Sequence, residues 1–131
     1  MTGNDAPRRI VLEPDYAGAA VFDLDRPFGE VLDQLPISAK TREAIRDWAK
    51  RWDVLAMQDL DADAIEAGMR TGSTQRVPDE IWEENTRERC ALWVALQEEL
   101  GSDWQVGWWR KYEGGVLYVQ WTPDGPVEPL P

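Results

Sequence analysis

The chain has no histidine, a single cysteine and no apolar run approaching the length of a membrane span. Each absence removes a class of function. Without histidine there is no histidine-based catalytic triad, and most zinc and non-haem iron ligand sets are lost as well. One cysteine, Cys90, cannot form an internal disulfide, so a reducing cytoplasm is the expected home. The opening stretch MTGNDAPRRIVLEPDY lacks the apolar core of a secretory signal. Positive charge is also scarce: 14 Lys and Arg stand against 25 Asp and Glu, a net charge of −11. Nucleic acid and anionic membranes both require cationic surface, so neither is an expected partner. A basic protein is.

What the chain does have is aromatic and apolar mass. Its 131 residues suit one domain and are too few for two ordinary ones. At that length roughly two-thirds of the unfolded surface is buried on folding, enough to dispense with staples. Residues 1–131 are therefore read as a single domain, with 1–7 a loose leader and 122–131 a proline-rich, extended tail. Eight tryptophans are many for this length, and most must anchor the core.

Periodicity and punctuation predict the elements. RRIVLEPDY and AAVFDLDRP read as strands Arg9–Glu13 and Ala20–Asp25 joined by the turn residues PDYAG. Alternation puts Ile10, Leu12, Phe22 and Leu24 toward the core, and Asp23 and Asp25 toward solvent. Ser38 is an N-cap for a helix to about Asp59, with Ile37, Thr41, Ile45, Trp48, Trp52 and Leu55 in one stripe. Residues 59–77 read as the least regular part, holding a short helix at Ala62–Ala67. Pro78 then opens a second long helix, which Gly101 stops after Leu100.

The stretch QVGWWRKYEGGVLYVQW closes the fold. Gly114-Gly115 reads as a two-residue hairpin turn, a register that sets Trp108 opposite Trp121. Trp104, Val106, Trp108, Tyr112, Leu117, Val119 and Trp121 then face the core, and Trp109, Lys111, Tyr118 and Gln120 face away. The expected fold is α+β: a mostly antiparallel sheet of about four strands from two hairpins, with two long helices packed on one face.

Two acidic motifs invite chemistry. AAVFDLDRPF resembles the nucleophile motif of the haloacid dehalogenase phosphatases. That resemblance implies Asp23 as nucleophile, Asp25 as acid/base and magnesium between them, in a phosphotransfer enzyme. Arg26 and Pro27 stand where that motif has Gly and Thr, and the simpler reading makes both aspartates the wet side of a strand. DLDADAIEAGMR resembles the start of an EF-hand loop through Asp59, Asp61 and Asp63. Ala64 replaces its bend glycine and Arg70 its bidentate glutamate, so the carboxylates read as an acidic start to a helix. Cys90, on a partly apolar helix face, reads as a filler rather than a nucleophile. No metal and no cofactor is expected.

The remaining candidate is a surface. Trp109, Tyr118 and Lys111 share the face turned away from the helices, and Glu13, Asp23 and Asp25 join them if the first hairpin lies in the same sheet. Aromatics framed by carboxylates suit a basic protein partner. In size, acidity, tryptophan content and the LPIS…W…W style of its first helix, the chain resembles the small acidic immunity proteins of high-GC bacteria. With the charge of −11 and the missing catalytic sets, this points to a non-catalytic protein that neutralises or regulates a basic partner such as a toxin. As to assembly the chain reads as a monomer or a homodimer, the latter joined through the Trp109 face with no foreign partner.

Overall fold

The computed structural model describes residues 6–14, 20–25, 30–109 and 114–129. In chain order these form β1 (Arg8–Leu12), β2 (Val21–Asp23), a 3-10 turn (Leu32–Gln34), α1 (Ala39–Glu66), α2 (Asp79–Leu100), β3 (Trp104–Trp109), β4 (Val116–Tyr118), β5 (Gln120–Thr122) and β6 (Gly125–Val127). The first four strands make one sheet in the order β2-β1-β3-β4. β1 pairs antiparallel with β2 and β3 antiparallel with β4, while β1 and β3 run parallel, Ile10 opposite Val106. This is the expected α+β architecture, with one parallel pair at its centre.

That centre explains β1. A strand with neighbours on both edges and material on both faces reads as a continuous apolar run. Ile10, Val11 and Leu12 are all buried, where simple alternation expected Val11 outside. β2 departs further. Its pairing sets Asp23 beside Ile10 and Val21 beside Leu12, so Val21 and Asp23 point to the helix side and Phe22 to the other. The expected faces of β2 are thus reversed. Asp23 is only 7% exposed. It is tolerated there because one carboxylate oxygen lies 3.4 Å from the Arg8 guanidinium and the other accepts from the Asp25 backbone N–H at 2.8 Å.

The helices form an antiparallel pair over the opposite side. Ser38 caps α1, its hydroxyl accepting from Thr41 N–H at 3.2 Å. Glu99 near the end of α2 accepts from Ser38 N–H at 2.7 Å and from the Thr41 hydroxyl, binding the start of one helix to the end of the other. The helix expected to stop near Asp59 instead runs unbroken to Glu66. Its acidic second half contains neither Gly nor Pro, and Asp59, Asp61, Asp63 and Glu66 each have a partner. Asp59 accepts from Val77 N–H and the Trp82 indole N–H, both at 2.8 Å; Asp61 pairs with Arg70; Asp63 and Glu66 pair with Arg76. On a helix Asp61 points away from the face that Asp59 and Asp63 share, so the three cannot converge as they do in a calcium loop. Gly101, with φ +79°, ends α2 as expected.

The core lies between helices and sheet. Ile45, Trp48, Trp93, Leu96 and Val106 are buried, and the Trp48 and Trp108 rings meet edge to face at 6.2 Å. The Trp48 indole N–H donates to the Asn85 carbonyl and that of Trp93 to the Val106 carbonyl. Trp52 and Trp108, expected to be fully enclosed, are half-buried. They line a cavity of about 220 Å³ with Trp48, Trp82 and Arg89, whose guanidinium lies 4.1 Å over Trp108. Gln97 was not singled out by any motif, yet it is buried and bonds three backbone groups: Val106 N–H and the carbonyls of Gly101 and Trp104.

Two expectations about the C-terminal region are corrected. Trp108 sits opposite Leu117, not Trp121, so the register of the second hairpin differs by four residues. Gly114 and Gly115 do adopt positive φ, +77° and +78°, but within a longer connection. An even shift keeps every side chain on its face, so Trp108 and Leu117 remain on the helix side. The segment expected to be an extended tail folds into a second small sheet, β5 against β6, with Trp121 opposite Pro126. Thr122 holds its turn, donating to the Gly125 carbonyl at 2.7 Å and accepting from Asp124 N–H at 3.2 Å. Trp121 is consequently 47% exposed rather than in the core.

Candidate functional site

The face of the sheet turned away from the helices is built by strand alternation. β3 sends Trp104, Val106 and Trp108 to the helices and Gln105, Gly107 and Trp109 to the back. Gly107 pairs with Val11 on one side and Tyr118 on the other, and Trp109 pairs with Val116. Trp109 and Tyr118 are therefore diagonal neighbours on one face, as expected. Trp109 is 44% exposed, and Tyr118 is half-buried.

Gly107 makes this surface possible. A Cβ there would collide with Val116 Cγ1 and press on Tyr118 Cε1 at 3.1 Å. A glycine inside a strand marks such a close approach, a signal present in the sequence. Towards the middle of the sheet the face is closed, with Val11 1% exposed.

Arg9 supplies the charge, and the sequence reading did not select it. Its guanidinium meets Asp25 at 2.5 Å. Asp25 raises the Arg9 pKa above its ordinary value, with a further contribution from the Tyr118 hydroxyl, and Arg9 holds the Asp25 carboxyl below the usual range. Both side chains are about half exposed. The polar edge of the site is thus an ion pair beside a phenol.

The other expected members divide. Asp25 reaches the back face through Arg9. Asp23 does not: it is buried on the helix side, both carboxylate oxygens engaged. Two aspartates so placed, one facing each side and each held by a different arginine, do not form the paired carboxylates that the phosphatase resemblance implied. Glu13 follows β1 with its side chain half-buried and its N–H donating to the Ala20 carbonyl. Lys111 lies outside the described residues. Among the described residues no cluster of three His, Cys, Asp or Glu side chains could hold a metal ion, and no helix is long and apolar enough to cross a membrane.

Cys90 is half-buried with Sγ 3.0 Å from Glu128 Oε1, just beyond β6. Burial first, then that carboxylate, pushes its pKa up to about 11. It ties the second sheet to α2 and is a poor nucleophile at neutral pH.

Residues 8–111, from the start of β1 to just past β3, match the family described as Serratia CdiI immunity protein-like. The chain belongs to that family. The matched span holds both helices, the parallel β1–β3 pair, Arg9, Asp25 and Trp109, and stops short of Tyr118 and the second sheet. Membership of an immunity protein-like family supports the immunity-type class that the sequence resemblance suggested. Among curated proteins and among solved structures nothing matches the chain significantly.

Proposed function

We propose that this chain is an immunity protein: it binds a toxin and neutralises it without catalysis, using the back face of its sheet around Trp109 and Tyr118. Family membership carries the class of function. Trp109 supports the location, because a tryptophan 44% exposed beside a tyrosine and a charged pair has the composition of an interface anchor. The net charge of −11 supports a basic partner, which such a field would draw in and orient.

The test takes a toxin domain captured by the wild-type chain in a pull-down from its source cell. Trp109→Ala is expected to keep the wild-type circular dichroism and weaken binding by about 2 kcal/mol or more, roughly thirtyfold in Kd. Asp25→Lys is expected mainly to slow association and flatten its salt dependence, because it changes the field more than a packed contact. Unchanged affinity in the Trp109→Ala protein would move the interface elsewhere. Failure of the purified toxin domain to bind the wild-type chain would refute the assignment itself.

A further inference from the structure

The outward seam between the helices is apolar. Val54 on α1 is 67% exposed and Ile81 on α2 46% exposed, and they line a groove of about 370 Å³ between the helices. Met57 and Leu60 continue exposed apolar surface along α1 at steps of three. A monomer rarely leaves such surface grouped without use. This seam lies on the helix side of the molecule, away from Trp109 across the sheet.

The rims of the groove differ in sign. Lys50 and Arg51 stand on the α1 rim, Glu84 and Glu88 on the α2 rim. Arg51 already reaches across to Glu88, whereas Lys50 has no carboxylate partner among the described residues. A basic partner is repelled by one rim and an acidic partner by the other. The surface that matches both rims at once is the same groove turned about a two-fold axis along the seam. That rotation lays α1 of one copy over α2 of the other, so cationic rim meets anionic rim twice and the apolar residues close the middle. We propose that the α1–α2 seam joins two copies of this chain in an isologous dimer. A standard stable interface buries roughly 800 Å² per partner over some 20–30 residues a side; a seam with four exposed apolar side chains makes a weak dimer that depends on concentration. It leaves both Trp109 faces pointing outward. The proposal does not rest on the toxin assignment, and its test uses this chain alone.

Sedimentation equilibrium at physiological salt, from about 1 µM to a few hundred µM, reads the mass directly. The mass is expected to rise from 15.0 kDa toward twice that value. Val54→Glu is expected to hold it at the monomer value with unchanged circular dichroism, and Trp109→Ala to leave dimerisation intact. Lys50→Glu and Glu84→Lys are each expected to weaken self-association about tenfold, and an equimolar mixture of the two variants to restore it, because the reversed charges complement across the axis. A mass of 15.0 kDa at every concentration overturns the proposal. So does a dimer that survives Val54→Glu, or a mixture no tighter than either variant alone.

Discussion

Gln97→Leu tests how the helices hold the sheet. Gln97 is 1% exposed. Its amide donates to the Gly101 carbonyl at 3.0 Å and the Trp104 carbonyl at 2.9 Å, and its carbonyl accepts from Val106 N–H at 2.8 Å. Leucine keeps the volume and removes all three bonds. Val106 is fully buried, so its N–H loses its side-chain acceptor and finds no water. A buried unsatisfied donor costs about 1–3 kcal/mol, and each lost neutral bond about 1 kcal/mol. Gly101 is half-exposed, so its carbonyl can turn to solvent. After the apolar gain of leucine, the expected net loss is about 2–3 kcal/mol, a large share of a typical domain's stability. Urea unfolding followed by tryptophan fluorescence reads it as a lower midpoint at unchanged slope. Gln97→Glu adds a sign. A carboxylate facing two carbonyls is favoured in its protonated form, so its folded pKa lies above the unfolded value of about 4.3. The penalty, measured against wild type at each pH, is then expected to shrink as pH falls toward about 4 and to be full at neutral pH. A Gln97→Leu protein within about 0.5 kcal/mol of wild type would show that the three bonds do not position β3.

Two other substitutions probe the site and the second sheet. Gly107→Ala is expected to cost about 1–3 kcal/mol by overpacking against Val116 and Tyr118, and to change Trp109 quenching by acrylamide; a fully native melting curve would mean the ring and methyl move aside freely. Cys90, raised from 9.0 to about 11, is expected at pH 8 to alkylate roughly a hundredfold more slowly than an unperturbed thiol, and Glu128→Gln to speed it. Because its folded pKa is the higher one, the stabilisation linked to the thiol proton is present below pH 9 and lost toward about 11. Alkylation at the rate of a free thiol would place Cys90 in solvent.

The helices and the division of β3 into two faces were legible in the sequence because their signals are local. Ser38, Pro78 and Gly101 punctuate the helices, and Trp108-Trp109 alternates whatever it pairs with. What escaped depended on partners distant in sequence. Phe22 looks like the core side of β2 by hydrophobicity alone, but Arg8 gives Asp23 a reason to be inside. The helix break expected at Asp59 ignored Arg70, Arg76 and Trp82, which satisfy the acidic turns from the far side of a loop. Gly114 and Gly115 were read correctly as positive-φ positions, yet that angle alone does not set the length of the connection around them, which is not the two-residue turn expected. In the candidate site Trp109 and Tyr118 were readable from parity, while Arg9 was invisible without knowing that Asp25 and Tyr118 both come to it.

The parallel pairing of β1 with β3 has a kinetic consequence. Residues 8–11 find their parallel partners only at residues 104–107. Among the described residues every other strand pair, and the helix hairpin, forms between segments much closer in the chain. Closing the widest loop comes late and slows folding, since its entropy is spent before the contacts repay it. During synthesis, the edge of β1 that takes β3 must wait until about four-fifths of these 131 residues have been made. The back face, which needs β1 for Arg9 and β3 for Trp109, therefore assembles late, and the helix pair can be complete while that face does not yet exist.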